Sequence, residues 1–263
     1  MDAVTTETKG AELTEARRRF ALRLGDDAMI LGQQLGKWVG HAPALELEMM
    51  IANFGLDLIG EAQLFFEYAA ELEGQGRSAD DMAFKRDILD YTNLLLVEQP
   101  NGDFAETIAR HFFYTVFHDL HFQQLQRSND ERIRQIAAKT LNEIRYHERV
   151  ARQWMLRLGD GTEESHSRLQ NAVDKLWRFT GEMFEVDDLT RRLIDAGIAV
   201  DLEGLQPTWQ ERVDAVLADA GSLTLPEGTR MNSGGRRGHH SDHLGHILAE
   251  MQFMQRAYPG LEW

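Results

Sequence analysis

Between Pro43 and Leu72 the sequence keeps a helical period without a break. Leu45, Met49, Ile51, Phe54, Leu58, Ile59, Phe65, Phe66 and Ala69 fall on most sides of that helix. A helix that is apolar nearly all round must be surrounded by other elements. At 1.5 Å per residue it spans roughly 45 Å, so its neighbours must be long as well. Pro43 suits the first turn, where its missing N–H costs nothing. This one stretch restricts the chain to helical packing around a central helix.

The rest of the chain agrees. Helical periods run long and strand-like alternation is scarce, which predicts an all-α fold. Residues 1–12 are polar and threonine-rich and read as a frayed, disordered tail, ahead of a single helical domain over residues 13–263. A first helix is expected from about Glu12 to Trp38, broken by Gly40-His41-Ala42-Pro43. After the second helix, Gly74–Asp80 reads as a loop and Asp81–Asp87 as a short helix. The stretch Thr92–Asp103 reads as a connection ending in turn chemistry. Asp103 is placed to cap a third helix, about Phe104 to Arg127, with Glu106 completing a capping-box pattern. A fourth helix is expected from about Asp130 to Leu158, ended by Gly159-Asp-Gly-Thr162. Further helices are expected over Ala172–Phe184, over Thr208–Ala220 and from His243 to the C-terminal region.

Composition narrows the function. The apolar fraction is 43%, enough for a sizeable core. The formal net charge of −15 opposes binding to nucleic acid or to an anionic membrane surface. Cysteine is absent, which excludes disulfides, thiolate metal sites and a thiol nucleophile. No signal-peptide pattern and no apolar run long enough to span a bilayer is present, so the expected location is cytoplasmic.

The candidate chemistry lies in the helices. A four-helix bundle that binds two irons takes about four carboxylates and two histidines, with Glu-x-x-His on two of its helices, because residues three apart share a face. Leu141-Asn-Glu-Ile-Arg-Tyr-His147 nearly has this motif. Three residues on from Glu143 is Tyr146, and three before His147 is Ile144. On the second helix, Asp57 and Glu61 lie one turn apart, and the residue three beyond Asp57 is Gly60, which cannot ligate. Asp57, Glu61, Glu106, Glu143 and His147 are therefore the candidates for a vestigial metal site. For Asp57 and Glu61 two readings stand open: a wet face or ion pairing with Lys or Arg, or inward-pointing relics of ligation. His111 and His118, on one face of the third helix, read as histidines at the polar edge of an aromatic core. No functional di-iron centre, metal or cofactor is expected in this chain, and no catalytic residue is assigned.

Three further motifs carry alternatives. Glu163-Glu-Ser-His166, the one Glu-x-x-His in the chain, reads as capping chemistry after a glycine turn. The basic loop Leu225–Gly238, with Gly234-Gly235 and Arg236-Arg237, could hold a phosphate or dock on an acidic partner. His239, His240, His243 and His246 could include a metal pair at i,i+4, or be surface histidines behind a Ser241 cap.

Several stretches together carry a family resemblance: Leu24-Gly-Asp-Asp27, Gly36-Lys-Trp-Val-Gly-His-Ala-Pro43, Asn93–Gly102, Lys175-Leu-Trp-Arg-Phe-Thr180, His243-Leu-Gly245 and Leu248-Ala-Glu-Met-Gln252. From about Leu24 to Trp263 the chain resembles the PaaC-type structural subunits of the bacterial phenylacetyl-CoA epoxidases (ring-1,2-phenylacetyl-CoA monooxygenases). The resemblance implies a ferritin-like four-helix bundle with additional C-terminal helices. It implies a non-catalytic subunit that supports a paralogous di-iron catalytic subunit, which epoxidises the aromatic ring with O2 while a reductase delivers electrons from NADPH. It further implies a hetero-oligomer, with a small subunit and the reductase as additional partners. A homodimer is left open for the chain alone. The defective Glu-x-x-His pattern agrees with that role, and His147 remains where the catalytic relatives keep both ligands. The second and third helices are expected to supply the partner interface, because their apolar surface exceeds one stripe. The alternatives from other classes are a free-standing di-metal carboxylate oxidoreductase with unusual ligands, and a CoA-ester-binding helical protein using Arg236 and Arg237.

Overall fold

The computed structural model describes residues 3–261, and among them there is helix and no strand. Four long helices form the bundle: α1 (Ala3–Gly36), α2 (Leu45–Glu73), α4 (Phe104–Leu125) and α5 (Glu131–Gly159). α1 and α2 form one antiparallel hairpin. Glycines allow them to cross closely: a Cβ on Gly32 would lie 3.0 Å from the Gly55 carbonyl oxygen, and one on Gly55 would lie 3.2 Å from that of Gly32. α4 and α5 form the second antiparallel hairpin, entered at Asp130, whose carboxylate accepts from the Ile133 N–H at 3.1 Å.

A long crossover links the two hairpins and holds α3 (Ala79–Phe84) and a 3₁₀ turn over Ile88–Asp90. Because the crossover returns to the starting end, α2 and α4 run parallel. Contacts Phe54–His111, Glu61–His118 and Phe65–Phe122 keep one constant offset in sequence. Two hairpins joined by one long crossover is the ferritin-like arrangement. α6 (Glu163–Leu176) packs on α4, and α7 (Asp188–Asp195) packs on α1. α8 (Gln206–Asp219) closes over α4 and α5, where the buried Trp209 donates its indole N–H to the Phe113 carbonyl at 3.0 Å. α9 (Asp242–Met251) and α10 (Phe253–Ala257) finish the chain.

Several expectations change. The first dozen residues are not a loose tail from Ala3 onward: they extend α1 backwards, while Met1 and Asp2 lie outside the described residues. The helix expected over Ala172–Phe184 starts earlier, at Glu163, and ends at Leu176, continuing as 3₁₀ turns to Phe184. α7 was not legible, because eight residues give barely two turns of periodicity. The third-helix expectation of outward apolar surface is also corrected. α4 is buried on nearly every side, so its apolar excess is covered within the chain. His111, His118 and His121 lie in the core at 1–3% exposure, not at its polar edge.

Candidate functional site

The centre of the bundle is where three helices bring titratable side chains together. α2 presents Asp57 and Glu61, one turn apart. α4 presents His111 and His118, two turns apart. α5 presents the buried His147, with the exposed Glu143 one turn before it. The histidines bond the carboxylates across helices. His118 Nε2 donates to Glu61 Oε1 at 3.0 Å, with both side chains buried. His147 Nε2 donates to Asp57 Oδ2 at 3.1 Å, and Asp57 is the solvent-facing member of this pair. The sequence left ion pairing with Lys or Arg open for these acids; their partners are imidazoles instead.

Aromatic rings fill the space between. Phe54 stacks on His111 with centroids 5.0 Å apart and lies 4.2 Å from His147. His111 and His147 are 5.4 Å apart. Phe122 meets His118 edge-on at 4.3 Å. This packing excludes water, and the charges respond. Burial holds the imidazole of His111 well below its ordinary range, with His147, Arg110 and His118 adding repulsion. Burial lowers His147 too, although Asp57 pulls it the other way. His121 is pushed down to about 3, first by burial and then by its proximity to His118 and Arg236. Glu143 is raised by partial burial and by the negative charges of Asp57 and Glu61. The Nε2 atoms of His118 and His147 face the acids, which leaves Nδ1 of both, and both ring nitrogens of His111, without a protein partner.

The donors do not fit a di-iron centre. Ile144 stands buried where a Glu-x-x-His motif would put its carboxylate. Each inward acid is tied to one histidine, and the Phe54, His111 and His147 rings pack on one another as a triangle, with centroids 5.0, 4.2 and 5.4 Å apart. Among the described residues no three His, Asp or Glu side chains converge as a metal site. Of the five vestigial candidates, Asp57, Glu61 and His147 gather here, while Glu143 is exposed at the edge, close enough to feel the charges of Asp57 and Glu61. Glu106 does not: it sits in the first turn of α4 and pairs with Lys175 of α6 at 2.5 Å. Asp103 caps α4 as expected, but Glu106 is turned outward, so the reciprocal half of the box goes to Lys175.

A second buried polar cluster was missed by sequence reasoning. Asp26 pairs with Arg86, and Asp27 pairs with Arg236 through contacts of 3.0 and 2.7 Å. Burial nevertheless pushes the Asp27 carboxyl up to about 6. Asp27 also accepts from the Leu94 N–H at 2.8 Å. Glu182 accepts from the N–H groups of Leu95, Gly234 and Gly235, each at 2.7 Å. Glu98 is fully buried and receives His240 Nδ1 at 2.8 Å, Asn93 at 2.9 Å, and both the N–H and hydroxyl of Ser241. The other ring nitrogen of His240 donates to the Tyr91 carbonyl at 2.9 Å. These acids tie the crossover and the basic loop onto α1. Arg236 is therefore bound inside the fold and not presented to a phosphate or CoA ester, while Arg237 stays exposed. His240 is a structural tie, and the i,i+4 pair read as metal-capable, His239 and His243, lies exposed at the surface. His166 ends up on the Gly159 carbonyl at 2.9 Å, behind a Thr162 cap. The signal was present in Leu24-Gly-Asp-Asp27 and in Leu94–Gln99: charged residues inside apolar runs, which are tolerated only when paired.

Fold and centre define a class: a ferritin-like helical bundle whose centre is closed by histidine–carboxylate pairs and aromatic rings. The chain belongs to the phenylacetic acid catabolic protein family (PaaA/PaaC), whose model matches residues 1–263. It is 48% identical over 244 residues to a subunit of the 1,2-phenylacetyl-CoA epoxidase of Escherichia coli (strain K12), a match covering 93% of this chain and 98% of that protein. No helix among the described residues is long and apolar enough to cross a membrane.

Proposed function

We propose that this chain is the non-catalytic structural subunit of a phenylacetyl-CoA 1,2-epoxidase in aerobic phenylacetate degradation. It holds a paralogous di-iron subunit in its working assembly. One observation carries the reading: the centre of the bundle, where a relative would hold irons, is closed by Glu61–His118, Asp57–His147 and the Phe54 ring. The bundle keeps its plan, and the ligating groups bond to one another. The chain holds no metal or other cofactor. The dependence on O2 and NADPH belongs to the complex, with iron in the paralogue and electrons from a reductase. Its place is the cytoplasm, and its partners are the catalytic paralogue, a small subunit and the reductase.

The test is turnover in parts. This chain, the catalytic paralogue and the two combined are each assayed with phenylacetyl-CoA, NADPH, the reductase and O2. No product is expected from this chain with the reductase, and full product from the combination. Product from this chain without its paralogue contradicts the reading and favours a free-standing di-metal enzyme.

A further inference from the structure

The outward side of α2 differs from the rest of the surface. Leu45, Met49, Asn53, Leu56, Gly60 and Gln63 recur at helical spacing and are all exposed. Leu45, Met49 and Leu56 are 68%, 59% and 66% exposed. That spine carries no charge over its whole length, in a chain of net charge −15. The charged residues beside it on α2 are all acidic. Glu46 and Asp57 flank it, Glu67 and Glu71 close its C-terminal end, and α2 holds no lysine or arginine. The cations beside it belong to α5: Arg132, at 3.6 Å from Glu67 and 3.8 Å from Glu71, and Arg149, which lies over the Tyr146 ring at 5.4 Å. Tyr146 of α5, 44% exposed and 5.9 Å from Phe54, widens the apolar surface beside the spine.

Gly60 adds an independent observation. Glycine inside a helix weakens it relative to any ordinary residue. Gly32 and Gly55 have a reason within the chain, since a Cβ on either would press on the facing backbone. A Cβ on Gly60 would meet nothing within 4 Å. The notch it leaves is used by nothing in the chain itself, and small residues let a second helix approach closely.

We infer that this face of α2 receives a helix of the catalytic paralogue, one with an apolar spine seated at Gly60 and lysines or arginines along its flanks. The inference rests on the function proposed above. A second copy of this chain is disfavoured as occupant, because two acidic borders would face each other.

The experiment measures affinity for the purified catalytic paralogue by analytical ultracentrifugation. Gly60→Leu tests the notch, and Glu46→Lys with Glu71→Lys tests the border. Phe253→Ser, on the exposed patch of α10, is the control. Gly60→Leu is expected to leave the helicity and melting temperature of the chain alone unchanged or raised, while weakening the complex at least tenfold. The double charge reversal is expected to weaken it at least tenfold, and Phe253→Ser to leave it unchanged. Wild-type affinity in a folded Gly60→Leu variant overturns the inference and leaves the proposed function standing. Failure of the wild-type chain to bind the paralogue overturns both. Self-association of the wild type that Gly60→Leu abolishes assigns the face to a second copy, and overturns the inference as well.

Discussion

Glu61 and His118 meet at 3.0 Å in the middle of the bundle, with side chains only 3% and 2% exposed. A carboxylate and an imidazole on two parallel helices thus satisfy each other in the interior of the bundle.

Breaking this pair from one side leaves the other group buried without a partner. Glu61→Leu is expected to destabilise the fold by about 1–3 kcal/mol. Replacing both, as Glu61→Leu with His118→Leu, removes the unmet polar atom and is expected to cost less than the sum of the single changes. Urea unfolding of the four species in a double-mutant cycle reads this directly. Additivity would show that the two side chains do not act as a pair.

The buried histidines set the acid limit of stability. His111, His121 and His147 have folded pKa values below the unfolded value of about 6.5, so the unfolded chain binds their protons first. Stability is expected to fall as pH drops below about 6.5, by up to about 1.4 kcal/mol per pH unit for each histidine. Asp27, raised to about 6, opposes this, as do the raised carboxyls of Glu143 and Glu148. His121→Phe should flatten the acid limb in a denaturation series from pH 7 to 5. An unchanged limb would mean that His121 is protonated in the folded chain.

His240 works in the opposite sense. Both of its ring nitrogens face acceptors, Glu98 and the Tyr91 carbonyl, and its pKa is raised: burial opposes the charge, but these two hydrogen bonds outweigh it. Its contribution is full below about 6.5 and is lost as pH rises through the folded value. His240→Ala leaves Glu98 buried with one partner fewer and is expected to cost about 3–5 kcal/mol. Hydrogen exchange should then speed up in the 234–257 region ahead of α4 and α5. Uniform acceleration across the chain would argue against a local tie.

The core of the fold was legible in the sequence because α2, α4 and α5 each carry long periodic patterns. The failed Glu-x-x-His could be read from the spacing of Ile144 and His147 alone. The partners of the acids could not. His118 lies 57 residues from Glu61, and the pairing depends on α2 and α4 running parallel, which periodicity does not state. The same limit hid the Asp27–Arg236 and Glu98–His240 ties, which join segments separated by more than a hundred residues. Glu106 was placed in the wrong company because its helix was right and its outward direction was not visible. His111 and His118 were given a polar edge because they are buried against α2 and α5, through Phe54, Glu61 and His147, and periodicity does not state which face of α4 those helices cover.

The central claim is that this bundle has replaced metal ligation by histidine–carboxylate pairing. Its most direct test is iron content, measured by elemental analysis after anaerobic ferrous reconstitution of this chain alone and together with its catalytic paralogue. The expected result is a chain that stays essentially iron-free while the pair holds iron. About two irons per chain in the isolated protein, the content of a di-iron bundle, would contradict it, and the Glu61–His118 and Asp57–His147 pairs would have to open to bind metal.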